Sequence, residues 1–376
     1  MSNIISRPAA LVKQGNLKLY TTSLRVRDLL SENFYDIERL DPDDANDKGF
    51  QRVLNKSRAK RLADYILDGQ ATKDAFLPTS VFLATAGDVD FDPSTNTITF
   101  DVSKLGPFSV VDGQHRVEGL KLAAEKNSEV LDFEVPVNIA VNLPKIAQMC
   151  HFLIVNTTQK SVDKSVGQRI FARLTEAISV EEVPSLPKWI SRIVESGDDE
   201  QALKIADYLN STPESPWCGK INMANQDSRV TTINQSTFVN ALTKYVFTAN
   251  NPISVLPISK QQNIFLNYWR SLAAILDADR PTVLYKYNGM ELFSRFSVPL
   301  FTKLHNKGDY KVATIESTLR EVFDNLDGEL VGLGHSDWWL SGTGVAGGMN
   351  SAAIGKAHSE LTKALHKVQT VSDISL

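Results

Sequence analysis

The sequence predicts an α/β (or α+β) core over residues 1–165, followed by a mostly helical domain over 166–376. Three observations carry this. Short runs rich in β-branched and aromatic residues alternate with runs of helical period in the first part. After about residue 165 the strand signals fade and long amphipathic patterns take over. The apolar fraction, 42% of 376 residues, is ordinary for a chain that buries real cores in two or three domains.

The elements follow in chain order. Residues 17–26 read as a strand, and 41–47 (DPDDAND) as a polar loop. From Lys56 to Leu67, Ala59, Leu62, Ala63, Ile66 and Leu67 recur at helical spacing, with Ser57 available as a cap and Gly69 as a stop. Residues 79–84 form a strand. A hairpin follows, 89–91 and 97–102 around an Asp92-Pro93-Ser94 turn. Residues 108–111 are a short apolar strand, 116–126 a helix with Val117, Leu120 and Ala123 on one face, 133–141 a strand, and 144–154 a helix opened by Pro144. In the second part, helices are expected over 166–178, 187–195, 200–209, 236–247, 263–278 and 355–368.

Composition narrows the function. The net charge of -4 excludes a protein coated in basic charge, so any nucleic-acid contact needs a local patch. The two cysteines, Cys150 and Cys218, are far apart, which fits a reducing, cytoplasmic setting and no disulfide framework. No signal-peptide pattern opens the chain. No run of about 18 apolar residues occurs, so no membrane span is expected.

The sharpest motif is Asp112-Gly113-Gln114-His115-Arg116. An apolar strand ends at an acid, turns at a glycine and enters a helix. The first N–H groups of a helix lack intrahelical partners, and the dipole favours an anion there. Gly113 lets a phosphate approach the backbone, while His115 and Arg116 add donors. The alternative is a capped helix, with Asp112 as N-cap and Arg116 in a surface ion pair. Other signals are weaker. The Gly342-Thr343-Gly344-Val345-Ala346-Gly347 run lacks a βαβ setting. Asp88 to Asp92 lacks the glycine and glutamate of a calcium loop. His151 reads as a packed or surface histidine.

This motif resembles the signature of the DGQHR-domain family, which includes the DndB proteins of DNA phosphorothioation systems, within the wider ParB/sulfiredoxin-like superfamily. In those relatives the turn cradles nucleotide phosphates. Gln114 stands where sulfiredoxin has its catalytic cysteine, which excludes thiolate chemistry. Ile154 to Asp163 (IVNTTQKSVD) is similar to the Asn-Thr-x-Gln-Lys stretch of the same family, and more loosely to the ParB box that faces nucleotide and magnesium. It is read as a polar stretch after the Pro144 helix. Asn156 replaces a glutamate there, which supports binding better than hydrolysis.

Residues 50–61 (FQRVLNKSRAKR) resemble the family's start to its first helix, with Arg52 directed at the nucleotide. Residues 209–221, with Ser215-Pro216-Trp217-Cys218-Gly219-Lys220-Ile221, resemble a DndB-like stretch and are read as a loop anchored by Trp217. The resemblance implies a ParB/sulfiredoxin-like core that binds ATP or CTP with Mg2+. Gly113, Gln114, His115, Arg116, Asn156, Thr157, Thr158, Lys160 and Arg52 would contact the nucleotide. Asp112 and Asn156 would hold the metal, and Asp112 and Gln159 are the catalytic candidates. Lys56, Arg58, Lys60 and Arg61 form the densest basic cluster, the candidate DNA surface, with a solvated helix face as the plainer reading. Residues 234–247 are a fallback recognition helix.

The expected function is that of a DndB-like protein of a DNA-modification or phage-defence locus. It would act with DNA and other proteins of the system, as an ATPase, a regulator of its locus's transcription, or both. A homo-oligomer is compatible with the sequence. A non-enzymatic repressor with a vestigial pocket and a ParB-fold nuclease are the alternatives.

Overall fold

The computed structural model describes residues 4–42, 49–159, 163–177, 187–226, 232–277 and 280–368, without the side chains of 157–159 and 177. The chain divides into two compact units. The first comprises Met1–Ile170 with Glu176–Lys188, and the second Phe171–Thr175 with Trp189–Leu376.

The first unit is built on one mixed sheet. Its strands are β1 (Ile4–Gln14), β2 (Leu17–Arg25), β3 (Tyr35–Asp36), β4 (Val81–Ala84), β5 (Asp90–Asp92), β6 (Thr97–Asp101), β7 (Phe108–Asp112) and β8 (Glu134–Val141). Their order is β3-β7-β4-β8-β2-β1-β6-β5. Helices α1 (Val26–Leu29), α2 (Lys56–Thr72), α3 (Val102–Leu105), α4 (Gln114–Lys126) and α5 (Lys145–Gln159) punctuate it. β4 runs parallel to β8 and antiparallel to β7, so the middle of the sheet is mixed.

β1 is absent from the sequence reading because Arg7 and Pro8 interrupt its pattern. The structure puts Pro8 to use. Ile4–Pro8 pairs with β6, while Ala9–Gln14 pairs with β2, so the strand changes partners beside a residue that lacks an N–H. Val81, Leu83, Phe108, Val110, Val137 and Ile139 of the sheet pack with Ala63 and Ile66 of α2 and Val117 and Leu120 of α4. α4 comes close to α2 because residue 119 is glycine. A Cβ there would lie 2.9 Å from Leu62 Cδ2 and 3.0 Å from the Ala59 carbonyl.

The ends of α2 differ from expectation. Asn55, not Ser57, is the N-cap, its side chain accepting from the Arg58 N–H. Gly69 lies inside the helix, which ends at Lys73 in a left-handed conformation.

The second unit is helical, as the sequence predicts. Beyond α6 (Lys164–Ala177) come α7 (Lys188–Ser196), α8 (Asp198–Ser211), a two-strand parallel pair β9 (Ile221–Asn222) and β10 (Ile233–Asn234), then α9 (Gln235–Tyr245), α10 (Ile258–Leu276), α11 (Tyr287–Lys307), α12 (Val312–Asp324) and α13 (Ser351–Lys367). Trp217 is its hub. It is fully buried, and its ring stands edge-on to Phe238, Trp269 and Tyr285 at centroid distances of 5.0, 4.8 and 5.2 Å.

α11 and α12 are not among the predicted helices. α11 has Pro299 in its interior, and α12 is rich in β-branched residues; both are poor helix signals. Burial overrides propensity. Met290, Leu292, Phe293, Phe296, Leu300 and Leu304 of α11 are fully enclosed, as are Ile315, Leu319 and Val322 of α12.

Candidate functional site

The strand-to-helix turn forms as the sequence implies, with one change in its capping. β7 ends at Asp112, and Gly113 takes φ +105°, a left-handed geometry that side chains avoid. A Cβ at Gly113 would lie 3.0 Å from Arg116 Nη1 and 3.3 Å from the Val81 Cα. Gly113 is thus the N-cap of α4 and no side chain caps the helix, so Asp112 is not the cap. Asp112 instead pairs with Arg116 one turn on, Oδ2 to Nη2 at 3.3 Å. Arg116 also donates to the Ser80 carbonyl of the segment before β4.

His115 is engaged within the protein through one ring nitrogen. Its Nε2 accepts the Asn55 backbone N–H at 3.1 Å, which leaves the ring's proton on Nδ1. Burial, then the charges of Arg52 and Arg58, hold its pKa below the ordinary value. The imidazole is therefore a neutral link between the start of α2 and the start of α4. Gln114 is buried with Oε1 unpartnered. Gln51 is buried behind the turn and donates to the Val110 and Val111 carbonyls at 2.6 and 3.0 Å.

Beside the turn is a cleft of about 300 Å³. Asp112, Ser80 and Asn138 line its polar side, while Leu19, Phe82 and Val141 contribute apolar wall. Asn138 is fixed from both sides, donating to Ser80 Oγ at 2.8 Å and accepting from Thr21 Oγ1 at 2.9 Å. His151, one turn from Val155 on α5, also lines it. Its Nε2 is buried without a hydrogen-bond partner, and burial lowers its pKa. The sequence reading set His151 aside, and no motif marks it, Ser80 or Asn138.

The second motif falls differently. Residues 154–159 are not a loop after the helix but the last turns of α5. Asn156 Nδ2 donates to the Phe152 carbonyl at 2.9 Å, and Asn156 is not among the residues lining the cleft. The side chains of Thr157, Thr158 and Gln159, and all of Lys160, lie outside the described residues. Among the described residues no group of three or more His, Cys, Asp or Glu is arranged to hold a metal, and no helix is long and apolar enough to cross a membrane.

The basic cluster divides. Lys56, Arg58, Lys60 and Arg61 are all exposed on α2. Arg58 acts, with Arg52, on His115 at the turn. Lys56 and Lys60 instead rim a separate, mostly apolar cleft of about 510 Å³ between α2 and α4, floored by Leu54, Ala59, Ala63 and Leu122.

No curated protein and no solved structure matches the chain. Residues 7–174 match the DndB family, described as DNA-sulfur modification-associated. The matched span runs from β1 into α6 and contains the whole turn and its cleft. The match over residues 7–174 supports a DndB-like assignment for that part of the chain.

Proposed function

We propose that the first unit binds a nucleoside triphosphate, ATP or CTP, with its phosphates at the Gly113 turn and its nucleoside in the adjoining cleft. The observation that carries this is the juxtaposition of an uncapped helix start with a half-apolar cleft sharing Asp112 and Ser80. Phosphate would compete with Asp112 for Arg116, while Arg52 and Arg58 add positive charge nearby. Ser80, Asn138 and the unpartnered His151 Nε2 offer hydrogen bonds to a base or sugar.

Mg2+ suits this donor set, because one carboxylate plus phosphate oxygens is a common way to bind it; Asp112 is that carboxylate. When bound, the ion neutralises phosphate charge. Binding is favoured over turnover. Asp112 is engaged by Arg116, and Asn156 offers no charge and lies off the cleft lining. The same features favour the non-enzymatic DNA-binding regulator over an ATPase or a nuclease.

The DndB-like assignment points to a DNA-modification locus. The chain is read as working there in the cytoplasm on DNA, with other proteins of that system, and as regulating the locus's transcription. A thermal-shift titration with ATP or CTP plus Mg2+ tests the nucleotide reading. A shift lost in Arg116→Ala supports it, and no shift with any nucleoside triphosphate refutes it.

A further inference from the structure

A third cleft, of about 500 Å³, lies in the helical unit, outside the family match. Thr237, Asn240, Lys244 and Tyr245 of α9 form one wall, and Tyr287 and Glu291 of α11 the other. α9 is the fallback recognition helix of the sequence reading. Its Phe238, Val239 and Leu242 are buried in the core, and its polar side lines this cleft.

The floor is organised around one carboxylate. Glu291 is only 3% exposed. Its Oε1 accepts from the Tyr245 hydroxyl at 3.0 Å and from Arg295, and Arg295 Nη2 reaches the same hydroxyl at 2.8 Å. Burial works to raise its pKa, but the neighbouring hydroxyls of Tyr287 and Tyr245 and the Arg295 charge prevail and lower it. Tyr287 lines the cleft beside Glu291, and that carboxylate pushes its pKa up to about 12. Yet the residue is 52% exposed. An exposed aromatic ring on a cleft wall beside a buried carboxylate is a stacking platform with an acceptor next to it. A carboxylate has about four lone-pair sites. Tyr245 and Arg295 use two of them, both on Oε1, so a further donor can be taken. Lys244 supplies positive charge at the rim.

We propose that this cleft binds a single unstacked nucleotide. The base would stack on Tyr287, an exocyclic amino group would donate to Glu291, and the phosphate would meet Lys244. Adenine and cytosine carry that amino group and thymine does not. The choice of a nucleotide leans on the DndB-like assignment, but the residues are separate from those of the proposed triphosphate site. Loss of one therefore leaves the other readable.

The test is fluorescence anisotropy of the full chain with dye-labelled oligodeoxyadenylate, oligodeoxycytidylate and oligothymidylate, with free dAMP as competitor. The expected result is weaker binding of oligothymidylate. Tyr287→Ala should lose on the order of tenfold in affinity. Tyr287→Phe, which also lacks the hydroxyl but keeps the ring, should retain most of it. Lys244→Ala should shallow the salt dependence by about one unit. Displacement by dAMP with the same dependence on Tyr287 identifies a free nucleotide, rather than a strand, as the source. Equal affinity for all three oligonucleotides, or wild-type affinity in Tyr287→Ala, overturns the proposal.

Discussion

The two units each contain an acid followed four residues later by an arginine, and the pairs could hardly be used more differently. Asp112 and Arg116 sit at the strand-to-helix turn with side chains 28% and 23% exposed. Glu291 and Arg295 sit beneath two tyrosines, with exposures of 5% and 20%. Helical spacing makes the second pair easy within α11, whereas the first spans the turn from β7 into α4. Burial decides what each can do. The enclosed pair has few alternatives to its partners, and breaking it strands a charge. The half-open pair is reached by solvent, so it is the one placed to exchange a partner.

The largest expected effect follows from the enclosed pair. Glu291→Ala should cost about 3–5 kcal/mol of stability in chemical denaturation, because Arg295 is left uncompensated. A cost under about 1 kcal/mol would erase the contrast between the two pairs. Next comes the open pair. With ATP or CTP and Mg2+ at a hundredfold excess over Kd, the wild type should gain about 2.7 kcal/mol, and Arg116→Ala should gain nothing. Its cost to the free protein should be about 1 kcal/mol, since Arg116 also loses its bond to the Ser80 carbonyl.

A smaller effect should come from Asn55→Ala, which removes the α2 cap and costs about 1 kcal/mol by thermal or urea unfolding. A graded one concerns pH. His115 and His151 have folded pKa values below the ordinary 6.5, so the unfolded chain takes up protons first as pH falls. Their contribution is present above about pH 6.5 and is lost as pH drops through and below that value. Melting temperatures from pH 8 to 5 should decline accordingly, and His115→Gln should flatten part of the decline. The smallest expected effect is on DNA. Lys56→Ala with Lys60→Ala should shallow the salt slope of duplex binding by about two units without touching the nucleotide response. An unchanged slope would remove α2 from any DNA surface.

The turn was readable because its chemistry is local. Strand, acid, glycine and helix are adjacent in the chain, and only glycine suits φ +105°. The same locality made β2, β7, β8, α2 and α4 legible. What stayed hidden depends on partners distant in sequence. β1 takes its register from β2 and β6, and α11 survives Pro299 because the core encloses it. The cleft beside Asp112 gathers Leu19, Ser80, Asn138 and His151 from four separate segments, which no spacing rule connects. The capping of α2 by Asn55 instead of Ser57 is a different kind of miss. Both residues cap well, and tertiary context chose the one whose N–H meets His115.

The aromatic hub of the second unit has a practical corollary. All five tryptophans of the chain, Trp189, Trp217, Trp269, Trp338 and Trp339, belong to that unit, and the first unit has none. Intrinsic tryptophan emission is therefore a built-in reporter for one half of the molecule and is blind to the melting of the other. A melt followed by that emission would track Glu291→Ala faithfully, yet it would overlook a nucleotide that stabilises only the Gly113 turn. Calorimetry or circular dichroism sees both halves. Replacing Phe82, on the wall of the first cleft, with tryptophan would give that half an optical signal of its own.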